Sequence, residues 1–488
     1  MPARLSGAHA RIGIFLLLLV IAFAIRARDF GNPIIHVDEQ YYLLVGDRML
    51  HGAVPYIDIW DRKPVGLFLI FAAIRLLPGD GILAYQLVAT LFAAATASLV
   101  ASGGRRLGAS RGGAVAAGTA YILWLSLLSG RGGQSPVFYN LFMAGAGLLT
   151  LRLPELAARR DRRAIMVSGC VTSLLAGLAI QTKYTPAIEG AFFGLAHLWF
   201  LRRAGTSWPM MAIAAAVWMA LGVAPTAIVV ANYYGRGPAV FQAFWFANFA
   251  SIALRKGYPA AKIAARLAGT TTQLSPFIAC AIAAWRTRPR RIEALLAFAW
   301  LAAALIAFAI IGAFFDHYAL PLMVPLTIIA APVLGRWRSA LAGTAVVGML
   351  LFAFHLATER DDRGSAYLVA RAMAANDGGK CPYVFAGDSV LYHLAHACLP
   401  TAYAFPSTLA YEPEQGATGI DEAAEVRRIM ARRPPVVVTM DQPLAPWNRD
   451  SLAVVTAALA KDYRPIMSVP RDGDHLLVYL RRHRTWTQ

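Results

Sequence analysis

Six of the twelve acidic residues in the first 357 positions fall between positions 29 and 61: Asp29, Asp38, Glu39, Asp47, Asp58 and Asp61. The segment from His36 to Gly66 reads HVDEQYYLLVGDRMLHGAVPYIDIWDRKPVG and sets these carboxylates among His36, His51, Arg62 and Lys63. A positioned carboxylate can take a proton from a hydroxyl. A lysine can meet a phosphate as a point charge. Such a concentration, in a chain otherwise dominated by Ala, Leu, Val and Arg, reads as a reaction centre.

Asp38 opens an apolar-periodic stretch, EQYYLLVGDRML, that Gly52 and Pro55 end. The plain structural reading makes Asp38 the helix N-cap. Glu39 beside it gives one cap site two carboxylates. The helix is too short to span a bilayer and must lie on its surface, where either acid is placed to accept a proton. In PYIDIWDRKP, Asp58 and Asp61 flank Arg62 and Lys63. They form either a surface ion-pair cluster of little energetic value or a cradle that, with Pro64, holds Lys63 for a phosphate. Lys183, in AIQTKYTPA, ends an apolar run with no acid near it in sequence. It must snorkel or find a partner. Asp316, His317 and Tyr318 close another run, where His317 is either a hydrogen-bonded structural residue or a donor to an external phosphate.

The elements that position these residues follow from composition. The chain has 488 residues, 58% hydrophobic and only 15% charged, against about 25% charged in soluble chains. Several apolar runs approach the roughly 20 residues that cross a bilayer. The class is a polytopic α-helical membrane protein. The net charge of +19 is topological and argues for no nucleic-acid partner. Arginines cluster in short loops: 105, 106 and 111; 159, 160, 162 and 163; 202 and 203; Arg286, Arg288, Arg290 and Arg291; 336 and 338. Such loops mark the cytoplasmic side. Threading them inward gives about eleven spans: 12–25, 82–101, 112–129, 136–151, 164–182, 186–201, 208–230, 269–285, 292–314, 318–334 and 339–357. The first serves as an uncleaved anchor.

Residues 28–81, 130–135, 183–185, 231–268, 315–317 and all beyond 357 are then external; in a bacterial inner membrane, the expected location, they would face the periplasm. One loop resists the rule. Residues 231–268 carry Arg236, Arg255, Lys256, Lys262 and Arg266, so either the phasing fails there or these cations meet an anionic partner. The segment YPAAKIAARLAG fits a helix in the interface, and the apolar run 65–77 is too short to span. Residues 1–357 are expected as a transmembrane catalytic domain, with first outer loop 28–81. Residues 358–488 hold 15 of the 27 acids and alternate strands (383–387, 435–439, 463–467, 475–480) with helices (389–397, 421–432, 450–461), a small α/β domain. Cys381 and Cys398 can pair if this tail sits in an oxidising compartment. Cys170 and Cys280 read as inert packing.

An Asp-Glu pair after the first span, a Tyr-containing helix, Gly52-x-x-Pro55-Tyr56 and then Asp61-x-Lys63-Pro64 together resemble the glycosyltransferase C superfamily. The branch is that of the protein O-mannosyltransferases and lipid A aminoarabinose transferases. Tyr42, Lys183 after Gly177, and His317-Tyr318-x-Leu320-Pro321 match as well. The resemblance implies transfer of a sugar from a polyprenyl-phosphate donor to an envelope acceptor: a glycolipid, a polysaccharide or a protein. It implies Asp38 as catalytic base beside Glu39, and Lys63 on the lipid phosphate. Arg131, Lys183 and His317 are further candidates for the donor phosphate, whose growing charge needs cations. Tyr42, Tyr56, Asp61 and Tyr318 are candidates for substrate binding. Val65 replaces a usual proline, and Gln134 stands where relatives often carry an acid. With Asp38 and Glu39 alone no metal is expected, and no cofactor. A secondary transporter, a lipid-linked sugar flippase or a polymerase is the alternative; Glu189, inside its span, is the residue that most favours transport.

Overall fold

A backbone in lipid has no partner for its N–H and C=O groups but itself, and within one segment only a helix satisfies them all. In the computed structural model, which describes residues 2–287 and 291–487, each of the eleven expected spans is helical. The helices are Pro2–Arg26, Ile82–Arg106, Arg111–Leu127, Ser135–Thr150, Arg162–Ile180, Pro186–Arg203, Trp208–Gly235, Ala260–Thr287, Ile292–Ile310, Met323–Arg336 with the 3-10 turn Asp316–Leu322 before it, and Arg338–Thr358. Among the described residues nine spans are long and apolar enough to cross a bilayer, a set that leaves out Arg111–Leu127 and Pro186–Arg203. The protein is a polytopic α-helical membrane protein. Arg288 and Arg290 lie outside the described residues.

Two expected boundaries move. The helix expected from 269 begins at Ala260, so YPAAKIAARLAG is no separate interfacial helix. Ala, Lys and Arg, good helix formers, carry the same helix through Gly269 into the span. The helix expected to reach 314 stops at Ile310, and Gly312 beyond it takes φ +71°, a conformation that suits glycine.

The chain forms two compact units. One comprises the segment through Phe30, Gln86–Val229 and Pro259–Ala357; the other comprises Gly31–Tyr85, Val230–Tyr258 and the chain from Thr358 on. The expected division at 357 leaves the first outer loop with the membrane helices; by contacts, residues 31–85 belong with the tail. Within the helical unit small residues let helices touch, as is usual in membranes. A Cβ on Gly113 would stand 2.5 Å from the Ala331 carbonyl oxygen. Glu189 is buried and accepts a hydrogen bond from Trp300 Nε1 at 2.6 Å.

In the other unit the helices Val37–Leu50 and Val65–Arg75 pack face to face. They approach so closely that a Cβ on Gly46 would lie 2.7 Å from the Ala72 nitrogen. At 11 residues, Val65–Arg75 is too short to span a bilayer. The tail contributes a four-stranded sheet of β1 (Tyr383–Val384), β2 (Val436–Met440), β3 (Tyr463–Arg471) and β4 (Asp474–Arg481) in the order β1-β2-β4-β3. β1 runs parallel to β2, and β4 runs antiparallel to both β2 and β3. β2 is buried along its whole length, which explains the continuous apolar run PVVVT. The helices Val390–Leu394, Glu422–Ala431 and Arg449–Asp462 stand near the expected positions, while Arg363–Asn376 was not expected. The Cys381–Cys398 disulfide is formed.

Two ties in this unit are testable. The disulfide closes a loop with a sequence separation of 17, worth about 3 kcal/mol by chain entropy. Changing both cysteines to serine should therefore lower the thermal midpoint, and an unchanged midpoint would show that the bridge contributes nothing. Asp47 is held well below its ordinary value of 3.8, first by His393 and then by Arg75, 2.9 Å away. A depressed folded-state value adds stability that is complete above the unfolded value and is lost as pH falls. Thermal midpoints of Asp47→Asn should therefore fall less steeply than those of wild type below about pH 4; parallel curves would remove Asp47 from the acid response.

Candidate active site

The first cluster grows from the start of helix Val37–Leu50. Its N-cap is His36, whose Nδ1 accepts from the Asp38 N–H at 3.2 Å. This corrects the expected Asp38 cap. Asp38 and Glu39 sit in the first turn instead, where the positive end of the helix favours carboxylates. Asp38 is half-buried and Glu39 fully buried.

One turn along the same helix, Tyr42 is buried, and its phenol is pushed well above its ordinary value of 10 by burial and then by the Asp38 charge, against the pull of Lys63. Lys63 Nζ lies 5.4 Å from the centre of the Tyr42 ring. Burial raises the Asp61 carboxyl above 3.8, and Asp38 adds to that rise while Lys63 and Arg62 oppose it. Asp38, Tyr42, Asp61 and Lys63 therefore share one electrostatic neighbourhood. A carboxylate, a phenol and an ammonium gathered in this way can bind a hydroxyl and a phosphate together.

Two devices hold the Asp61–Lys63 turn. Tyr56 takes φ +72°, a costly conformation for a large side chain that persists only where packing enforces it. Its hydroxyl donates to the Lys63 carbonyl at 2.8 Å, and its ring packs against Phe68, Tyr233 and Phe244. Tyr56 thus braces the lysine backbone. Arg62 turns into the tail, pairing with Glu414 and donating to Ser251 Oγ at 3.0 Å and to the Ala417 carbonyl at 2.9 Å. Glu414 also accepts from Arg255 at 2.7 Å, so this cation of the anomalous 231–268 loop meets an anionic partner inside the protein. Asp58 only braces its turn, accepting from the Val54 N–H at 2.8 Å.

The second cluster lies in the helical unit, where the ends of several helices meet. Arg131 pairs with Asp29 at 3.1 Å, and the fully buried Arg26 donates to the carbonyls of Gly130 and Gly132. Lys183 Nζ stands 4.2 Å over the ring of Tyr318. His317 Nδ1 is 3.5 Å from Asp316, which also accepts from Ser129 at 2.6 Å. Arg266 lies over Phe315 at 3.8 Å and donates to the Ala313 carbonyl. Arg131, Lys183, His317 and Tyr318 are thus gathered in one unit, and Asp38, Tyr42, Tyr56, Asp61 and Lys63 in the other. Among the described residues no three His, Cys, Asp or Glu side chains converge as a metal site.

Glu414, Arg26 and Arg266 were not singled out from sequence as parts of either cluster. Arg26 ends an apolar run and reads there as a flanking cation. Glu414 lies in a tail with no catalytic pattern.

The sequence matches no family model and no curated protein. Among solved structures, ArnT from Cupriavidus metallidurans in the apo state is similar over 97% of this chain and 98% of that one, at 16% identity and a TM-score of 0.64. Archaeal oligosaccharyltransferase AglB from Archaeoglobus fulgidus, in complex with an inhibitory peptide and a dolichol-phosphate, is similar over 88% of this chain and 69% of that one, at 11% identity and a TM-score of 0.50. At such identities the likeness is one of fold alone: the chain shares its architecture with these two proteins.

Proposed function

We propose that this protein is a membrane glycosyltransferase that moves a sugar from a polyprenyl-phosphate donor to an envelope acceptor. The carrying observation is the shared neighbourhood of Asp38, Tyr42, Asp61 and Lys63, with Asp38 in a helix first turn. The acceptor hydroxyl oxygen attacks the anomeric carbon while Asp38 takes its proton. The bond from that carbon to the phosphate oxygen breaks, and polyprenyl phosphate leaves with the electron pair. A single displacement inverts the anomeric centre. Lys63 meets the charge that grows on the phosphate, and Glu39, Tyr42 and Asp61 shape the pocket around the base. Tyr56 serves as the brace of Lys63. Arg131, Lys183 and His317 are proposed phosphate ligands and Tyr318 a substrate contact, on the resemblance and on their gathering in the helical unit.

The fold shared with AglB supports a lipid-phosphate donor, since that structure holds a dolichol-phosphate. The Arg-rich loops and the formed disulfide, a bond of oxidising compartments, support placing the first outer loop and the tail in the periplasm. A glycolipid, a polysaccharide and a protein all supply the hydroxyl this chemistry needs. Glu189, engaged by Trp300, leaves transport without a specific observation in its favour.

Purified protein given a radiolabelled polyprenyl-phosphate sugar and envelope extract should release polyprenyl phosphate; a protein that carries the donor across vesicles without turnover would be a transporter. Asp38→Asn should reduce turnover at least 100-fold, of the order expected for a lost general base, with its melting curve unchanged. Near-normal turnover would return Asp38 to a structural part of the helix start. Lys63→Ala should chiefly raise the donor KM, and an unchanged KM would take Lys63 out of the phosphate site.

A further inference from the structure

The tail shows no catalytic pattern of its own, yet one of its carboxylates reaches back to the residue between Asp61 and Lys63. Glu414 is buried, 352 positions from Arg62 in sequence, and pairs with its guanidinium. The Arg62 guanidinium meets Glu414, Ser251 Oγ, the Ala417 carbonyl and the face of Trp60 at 4.7 Å. The same carboxylate holds Arg255 at 2.7 Å. Glu414 therefore stands between two cations that would otherwise repel. Removing one partner of a buried pair strands the remaining charge and is far costlier than the pair's net worth; here the charge most affected is Arg62, the more buried of the two cations.

Lys63 is the next residue, one peptide unit (about 3.8 Å between Cα atoms) from this anchor. Its own carbonyl is fixed by the Tyr56 hydroxyl. The lysine is thus gripped from both sides of its backbone, and one grip comes from the tail. We infer that Glu414 is a positioning residue: through Arg62 it sets where the Lys63 ammonium meets the donor phosphate. This rests on the proposed lipid-phosphate role of Lys63. It gives the tail a part in holding the donor, beside the acceptor binding that an α/β appendage would supply.

The test measures binding of polyprenyl phosphate, without sugar, to the purified full chain in nanodiscs. Glu414→Gln should weaken binding roughly ten-fold or more, since displacement of a positioning group by about 1 Å can cost a hundredfold. Glu414→Asp, which keeps the charge, should recover part of the loss. In a Lys63→Ala background, Glu414→Gln should have no further effect on binding, a pattern that general destabilisation does not produce. With donor sugar, KM should rise more than kcat falls. Equal weakening in both backgrounds, or unchanged binding in Glu414→Gln, overturns the inference while leaving the glycosyltransferase reading intact. Wild-type protein that does not bind polyprenyl phosphate sinks both. Should Glu414→Gln fail to fold, Glu414→Asp carries the same comparison, and binding equal to wild type in that variant overturns the inference.

Discussion

A charge taken out of water must find a counter-charge or a hydrogen-bonding partner, and this constraint organises both units of the protein. In the unit built from residues 31–85, 230–258 and the tail, Arg62 and Arg255 share Glu414, Arg471 grips Asp388, and Arg75 with His393 holds Asp47. Each of these ties joins segments distant in sequence. Asp388 is also the acceptor for Gln40 at 2.9 Å, so the helix that carries Asp38 is bound to the tail through its own buried amide. Residues 31–85 are therefore no free excursion; they fold as one body with the C-terminal sheet.

Around Asp38 and Lys63 the same constraint acts differently. Asp61 is half-buried near another carboxylate, and its raised pKa reflects desolvation not fully compensated by Lys63 and Arg62. Structural ion pairs elsewhere in the unit lower carboxylate pKa values, as at Asp47. Opposite shifts at two acids of one short loop separate an acid that holds the fold together from one that surrounds a candidate phosphate site. Such imbalance is typical of sites that do chemistry. The strained Tyr56 backbone belongs to the same region.

In the helical unit, arginine and lysine at helix ends are covered by carbonyls, aromatic faces and single carboxylates. Arg26 on two glycine carbonyls, Lys183 over Tyr318 and Arg266 over Phe315 are three versions of one solution. An aromatic face offers a cation electrostatic attraction without a second charge to desolvate. That suits positions close to lipid, where a full ion pair is costly.

By itself the sequence determined where the chain is helical in the membrane, that the tail is α/β, and which short loop concentrates acids beside Lys63. Those properties are local: apolar run length, period and loop composition report them directly. It also placed Asp38 at the helix start, although His36 takes the cap, because two polar residues compete there and only packing chooses. Tertiary structure alone decided that Arg62 belongs to Glu414, that Arg131 belongs to Asp29, and that residues 31–85 fold with the tail. Coulomb attraction carries no sequence register. A carboxylate hundreds of residues away leaves no pattern until the chain has folded and its distance to the guanidinium is known.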